Sequence, residues 1–143
     1  MNNKLLCSST IIGIFILCIS IFFYNFKLLP LYIITYIGIV TSIINHGITS
    51  KVAKNLDRFI MVLSAIIYIY YGLQINNFYM KIAILSIVCL MMLLYISSKI
   101  IKKFTDSDDI STNVHITTHC ITLLPFSIII INDYLTSKQY ISV

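Results

Sequence analysis

LLPLYIITYIGIVTSIINH, from Leu28 to His46, contains no Asp, Glu, Lys or Arg. Its proline, Pro30, falls in the first turn, where a missing amide hydrogen costs a helix little. Crossing a hydrocarbon core takes roughly 20 apolar helical residues, so this stretch reads as a transmembrane helix. It ends on Ser42 and His46, whose spacing of four puts them on one helical face, one turn apart.

Four further stretches have the same character: Leu5 to Tyr24, Leu56 to Leu73, Phe78 to Ile101 and Val114 to Tyr134. Hydrophobic residues make up 59% of the chain and charged residues 10%, with a mean hydropathy of +0.95. Those proportions exclude an ordinary soluble domain. The expectation is an all-α polytopic membrane bundle of about five transmembrane helices, forming a single domain over residues 1–143. The first segment is preceded by Lys4 alone and lacks a small-x-small cleavage signature, so a retained helix is expected in place of a removed signal peptide. Pro125 lies inside the fifth segment and is expected to kink it, freeing the carbonyl of Ile121. Thr105 to Thr112, TDSDDIST, reads as the one polar loop of note, with hydroxyls suited to capping the last helix. Its Asp106, Asp108 and Asp109 read as a solvated acidic cluster before they read as a cation site.

The basic excess, ten Lys and Arg against five Asp and Glu, does not point to nucleic acid, because the cations sit at segment ends where they set topology. Lys4, Lys51, Lys54, Arg58, Lys99, Lys102 and Lys103 fall on one face, and Lys27, Lys81 and Lys138 on the other. The positive-inside bias then predicts a cytoplasmic first face carrying the amino terminus. Cys7, Cys18, Cys89 and Cys120 lie in or beside apolar segments and form no disulfide framework. Cys120 follows His119 directly and points about 100° away from it, which makes it a poor ligand.

The crossing count also places the polar residues. If the second helix ends on one face, the third starts there, the fourth returns there and the fifth starts there. Ser42, His46, Asp57, His115 and His119 therefore share one membrane face, and His115 and His119 repeat the spacing of four. Three imidazoles are a ligand set for a zinc ion that keeps its fourth position for water. A water so bound ionises near neutral pH and can attack an amide or ester carbonyl. On this reading His46, His115 and His119 hold Zn2+, and their ring nitrogens approach to about 3 to 4 Å. Asp57 orients the water and moves its proton, and Ser42 donates to the oxygen that gains charge. Each residue has a plainer reading too. Histidines are common at membrane interfaces, Lys54 and Arg58 offer Asp57 an ion pair, and serines bond back to helix carbonyls. Convergence favours the site, since buried ionisable groups in membranes are costly and usually functional.

The order S-x-x-x-H from Ser42, L-D-x-x-x-M from Leu56 to Met61, and H-x-x-x-H from His115 resembles the CREST superfamily of membrane hydrolases, which includes alkaline ceramidases, hemolysin III-like proteins and progestin and adipoQ receptors. The resemblance implies zinc on His46, His115 and His119, with Ser42 and Asp57 beside it. The spacing from His46 to Asp57 is nearest the alkaline ceramidases, while KVAKNLDR resembles hemolysin III-like sequences. The family core has seven helices. Five here would drop two between Asp57 and His115, which keeps the parity but removes walls of an acyl-chain pocket, leaving it shallower, absent or completed by a second copy as a homo-oligomer.

The leading expectation is thus a zinc-dependent hydrolase of a membrane lipid amide or ester. A non-catalytic receptor-like or scaffold protein, with a structural metal or none, stands against it. An oligomeric channel is a third alternative, disfavoured by the scarcity of polar stripes.

Overall fold

A computed structural model describes residues 3–48, 50–105 and 108–141. Among them are five long helices, α1 (Asn3–Phe22), α2 (Leu29–Gly47), α3 (Lys51–Gln74), α4 (Phe78–Phe104) and α5 (Asp108–Ile141), with a 3-10 turn at Phe26–Leu28 leading into α2. All five are long and apolar enough to cross a membrane. The chain is a multi-pass integral membrane protein.

Local chemistry sets the helix starts. Pro30 occupies the first turn of α2. The Ser50 hydroxyl accepts from the Ala53 amide and so caps α3. The Asn77 side chain accepts from the amides of Tyr79 and Met80 at 3.0 and 3.1 Å, capping α4. Each side chain satisfies donors that a helix end leaves without an internal partner.

The last two helices differ from the sequence expectation. α4 continues to Phe104, and α5 begins at Asp108, so most of the expected polar loop is helix. Hydrophilicity misled the boundary: the first turns of α5 are polar because they extend past the apolar layer, and the Asp109 carboxylate near the helix start suits its dipole. At 34 residues, α5 is about 51 Å long by the rise of a helix, well beyond a hydrocarbon core of about 30 Å. Ser111, expected near the cap, lies inside the helix and donates to the Ser98 carbonyl of α4 at 2.8 Å. Asp109 accepts from Lys4 of α1 at 3.2 Å. Asp106 of the acidic cluster lies outside the described residues. α5 stays helical through Pro125.

The helices close a ring in chain order, with α5 returning to α1. Inside it lie Ile16, Leu31, Tyr68, Ile84, Phe126 and Ile130, all buried. Outside, Phe15, Phe22, Phe59 and Leu93 are exposed, as lipid permits. α3 and α4 approach closely at Gly72, where an added Cβ would meet the Ile84 side chain at 2.8 Å. Hydroxyls within the layer bond back to their own helices, as Ser20 to the Ile16 carbonyl and Thr118 to that of Val114. No polar group in hydrocarbon can leave that need to water. The four cysteines are free and exposed.

Candidate metal centre

The end of α2 and the first turns of α5 meet at one end of the ring. His46 is 9% exposed and His115 is 7% exposed, with His119 partly buried beside them. Their ring centroids are separated by 5.4 Å (His46 to His115), 5.6 Å (His46 to His119) and 4.8 Å (His115 to His119). The planes are close to perpendicular, at 85°, 83° and 75°. One nitrogen on each ring, Nε2 of His46, Nδ1 of His115 and Nε2 of His119, is buried without a hydrogen-bond partner. A buried donor or acceptor left unpaired costs about 1–3 kcal/mol, so three in one place call for an explanation.

A ligand atom from each of the three rings lies within 4.8 Å of the other two. This is wider than the 3 to 4 Å expected from the sequence. The rings rest in edge-to-face contact, which holds them at van der Waals separation, farther apart than nitrogens sharing one ion. With zinc–nitrogen bonds near 2.0–2.1 Å, each ring has to shift inward by about 1 Å for shared coordination. The donor set and its burial therefore fit zinc, and the separation is that of an open, uncontracted triad.

Asp57, near the start of α3, is partly buried, and its Oδ2 accepts a hydrogen bond from Asn45 Nδ2 at 2.7 Å. Asn45 immediately precedes His46 on α2, so one helix end supplies both a ring of the triad and the carboxylate's anchor. Ser42 is buried, and its hydroxyl lies 3.1 Å from that of Ser9 on α1. Asp57, Ser42, His115 and His119 all face one cavity of about 100 Å³ inside the ring. His46 completes the triad at its edge. The cavity runs inward to Tyr68 of α3, about 16 Å along that helix from Asp57. There the Tyr68 hydroxyl is 3.1 Å from Thr35 Oγ1, and both residues are buried. Its walls are mainly apolar, as at Ile12, Met61 and Met91.

All five residues singled out in the sequence thus lie at one end of the bundle. Ser9, Asn45 and Tyr95 were missed. Tyr95 of α4 lines the cavity and packs its ring 5.5 Å from that of His115. Asn45 carried a weak signal, as an amide in the last turn of an apolar helix. Ser9 and Tyr95 carried none, since α1 and α4 each hold other hydroxyls and aromatics of the same appearance.

The fold and the site together define a multi-pass membrane protein with a buried histidine triad at one end of its ring. No family model matches the chain, and no curated protein or solved structure matches it.

Proposed function

We propose that the protein is a zinc-dependent hydrolase of a membrane lipid amide or ester, ceramidase-like in the sense of its resemblance to the CREST superfamily. The observation carrying this reading is the set of three buried ring nitrogens without a partner among the described residues, two of whose rings, His115 and His119, line a mainly apolar cavity together with the Asp57 carboxylate and the Ser42 hydroxyl. His46, His115 and His119 hold the ion. When bound, zinc supplies a Lewis acid that polarises a carbonyl oxygen and makes water a stronger acid.

The remaining chemistry belongs to the chain. Asp57 takes the proton of the attacking water and passes it to the departing amine or alcohol. Asn45 fixes the carboxylate for that task by holding one of its oxygens. The Ser9 and Ser42 hydroxyls share one hydrogen bond that either can donate; with Ser9 as its donor, the Ser42 proton is free to meet the oxygen that gains negative charge. The apolar walls receive the hydrocarbon part of the substrate. The basic excess at this end of the ring supports a cytoplasmic site.

A second reading, a structural metal, has one observation in its favour. The backbones of α2 and α5 stay largely apart and are joined by side chains, His46 with His115 and His119 at one end and Tyr32 with Phe126 farther along. An ion there would tie two helices across the ring. Turnover separates the two roles. The detergent-purified chain, assayed against ceramide-like amides and fatty acyl esters, is expected to release fatty acid. Asp57→Asn is expected to lower that rate by about 10²–10⁴-fold, the range for general acid–base groups, with zinc content retained. A zinc-loaded protein inert toward these lipids would leave the structural role.

A further inference from the structure

The triad end carries seven of the ten Lys and Arg residues, and part of that charge is organised around one cavity residue. Lys54 and Arg58 of α3 are four residues apart and share a helical face. They flank Asp57, which lines the cavity. Lys99 comes from α4 and holds its Nζ over the Tyr95 ring, 5.0 Å from the centroid. Tyr95 lines the cavity and lies 5.5 Å from His115. Arg58 acts on the Tyr95 hydroxyl from α3, so a guanidinium and an ammonium both lie against this one ring of the cavity wall. Lys99 is near enough to act on all three histidines, and Arg58 and Lys54 act on Lys99 in turn.

Among the described residues none of these three cations closes an ion pair within 4 Å, and the one carboxylate that acts on Lys99 and Arg58, Asp57, sets a single negative charge against three positive ones. The ion pair found among the described residues, Lys4 with Asp109, lies elsewhere and is exposed. Like charges gathered beside an apolar cavity repel, and the positive-inside bias would be served equally well by cations facing outward. A phosphate offers what the cluster lacks: two negative charges at most and several acceptor oxygens, suited to both a forked guanidinium and an ammonium.

We propose that Lys54, Arg58 and Lys99 form an anion subsite at the mouth of the cavity, which receives the phosphate headgroup of a lipid whose hydrocarbon chain enters below. This rests on the cavity being a lipid site and adds a preference for phosphate-bearing members of the lipid amides and esters proposed as substrates. The phosphate stays at the membrane surface while the carbonyl behind it reaches the level of Asp57 and the histidines.

The test is binding to the full chain in neutral detergent, read as a shift in melting temperature. Three probes separate the sources: dioctanoyl phosphatidic acid, dioctanoylglycerol, and inorganic phosphate. Phosphatidic acid is expected to bind at least tenfold more tightly than dioctanoylglycerol. Lys99→Gln and Arg58→Gln are each expected to weaken it about tenfold, the scale of one lost charge-assisted hydrogen bond. Arg58→Lys should recover part of the loss, and Lys51→Gln and Lys103→Gln, which alter the same face away from the mouth, should have little effect. Equal binding of the two lipids overturns the proposal. So does an equal loss in the Lys51 and Lys103 variants, which would make the effect one of general surface charge. If inorganic phosphate matches phosphatidic acid and responds to the same variants, the headgroup assignment is overturned in favour of a free anion. Binding is expected to survive His115→Ala/His119→Ala, so the subsite and the hydrolase reading can fail separately.

Discussion

The two ends of the helical ring treat their polar groups in opposite ways. At the end away from the histidines, every notable polar contact is closed. Asn25 donates to the Asp133 carboxylate, the Tyr32 hydroxyl donates to the Phe23 carbonyl at 2.9 Å, and that of Tyr71 to the Lys27 carbonyl at 3.2 Å. Phe23 and Tyr134 pack edge to face at 5.1 Å. At the histidine end, three buried nitrogens have no hydrogen-bond partner among the described residues. Packing and hydrogen bonding account for the first end among the described residues. The second holds three buried nitrogens that hydrogen bonds among the described residues do not satisfy, and the proposed metal would account for them.

That contrast can be broken by experiment. The largest effect is expected at the open end: Asp57→Asn should remove most turnover with zinc retained, whereas the same assay on Asp133→Asn should show full specific activity in the folded fraction. Asp133→Ala comes next. It deprives Asn25 of its carboxylate partner, and the expected loss is about 1–3 kcal/mol of stability, measured by denaturant titration in detergent, with zinc content unchanged. The smallest effect belongs to Tyr32→Phe, which removes one neutral donor. It should cost about 1 kcal/mol and leave the histidine end untouched. If either far-end substitution released zinc, the two ends would be coupled and the division between them wrong.

The crossings were legible because length and hydropathy are summed along the chain and need no knowledge of packing. Counting them was enough to bring Ser42, His46, Asp57, His115 and His119 to one end, since parity alone decides which segment ends share a face. The boundary before α5 was not legible. Asp108 and Asp109 look like loop in composition but belong to a turn of helix reaching past the apolar layer. The contacts between helices were also hidden. That Ser42 would meet Ser9, or that Asn45 would hold Asp57, depends on helix rotation, to which a sequence this rich in isoleucine and scattered hydroxyls gives little guide. The spacing of the rings was misjudged for a related reason: ligand spacing describes a contracted site, and the three imidazoles here lie at packing distance.

X-ray absorption at the zinc edge of the purified chain tests the central claim most directly. About one zinc per chain is expected, with three imidazole nitrogens at about 2.0–2.1 Å and the remaining position taken by oxygen, and the signal should vanish in His115→Ala/His119→Ala. Zinc well below one per chain after reconstitution, or a first shell unchanged by that double substitution, would contradict a metal centre on His46, His115 and His119.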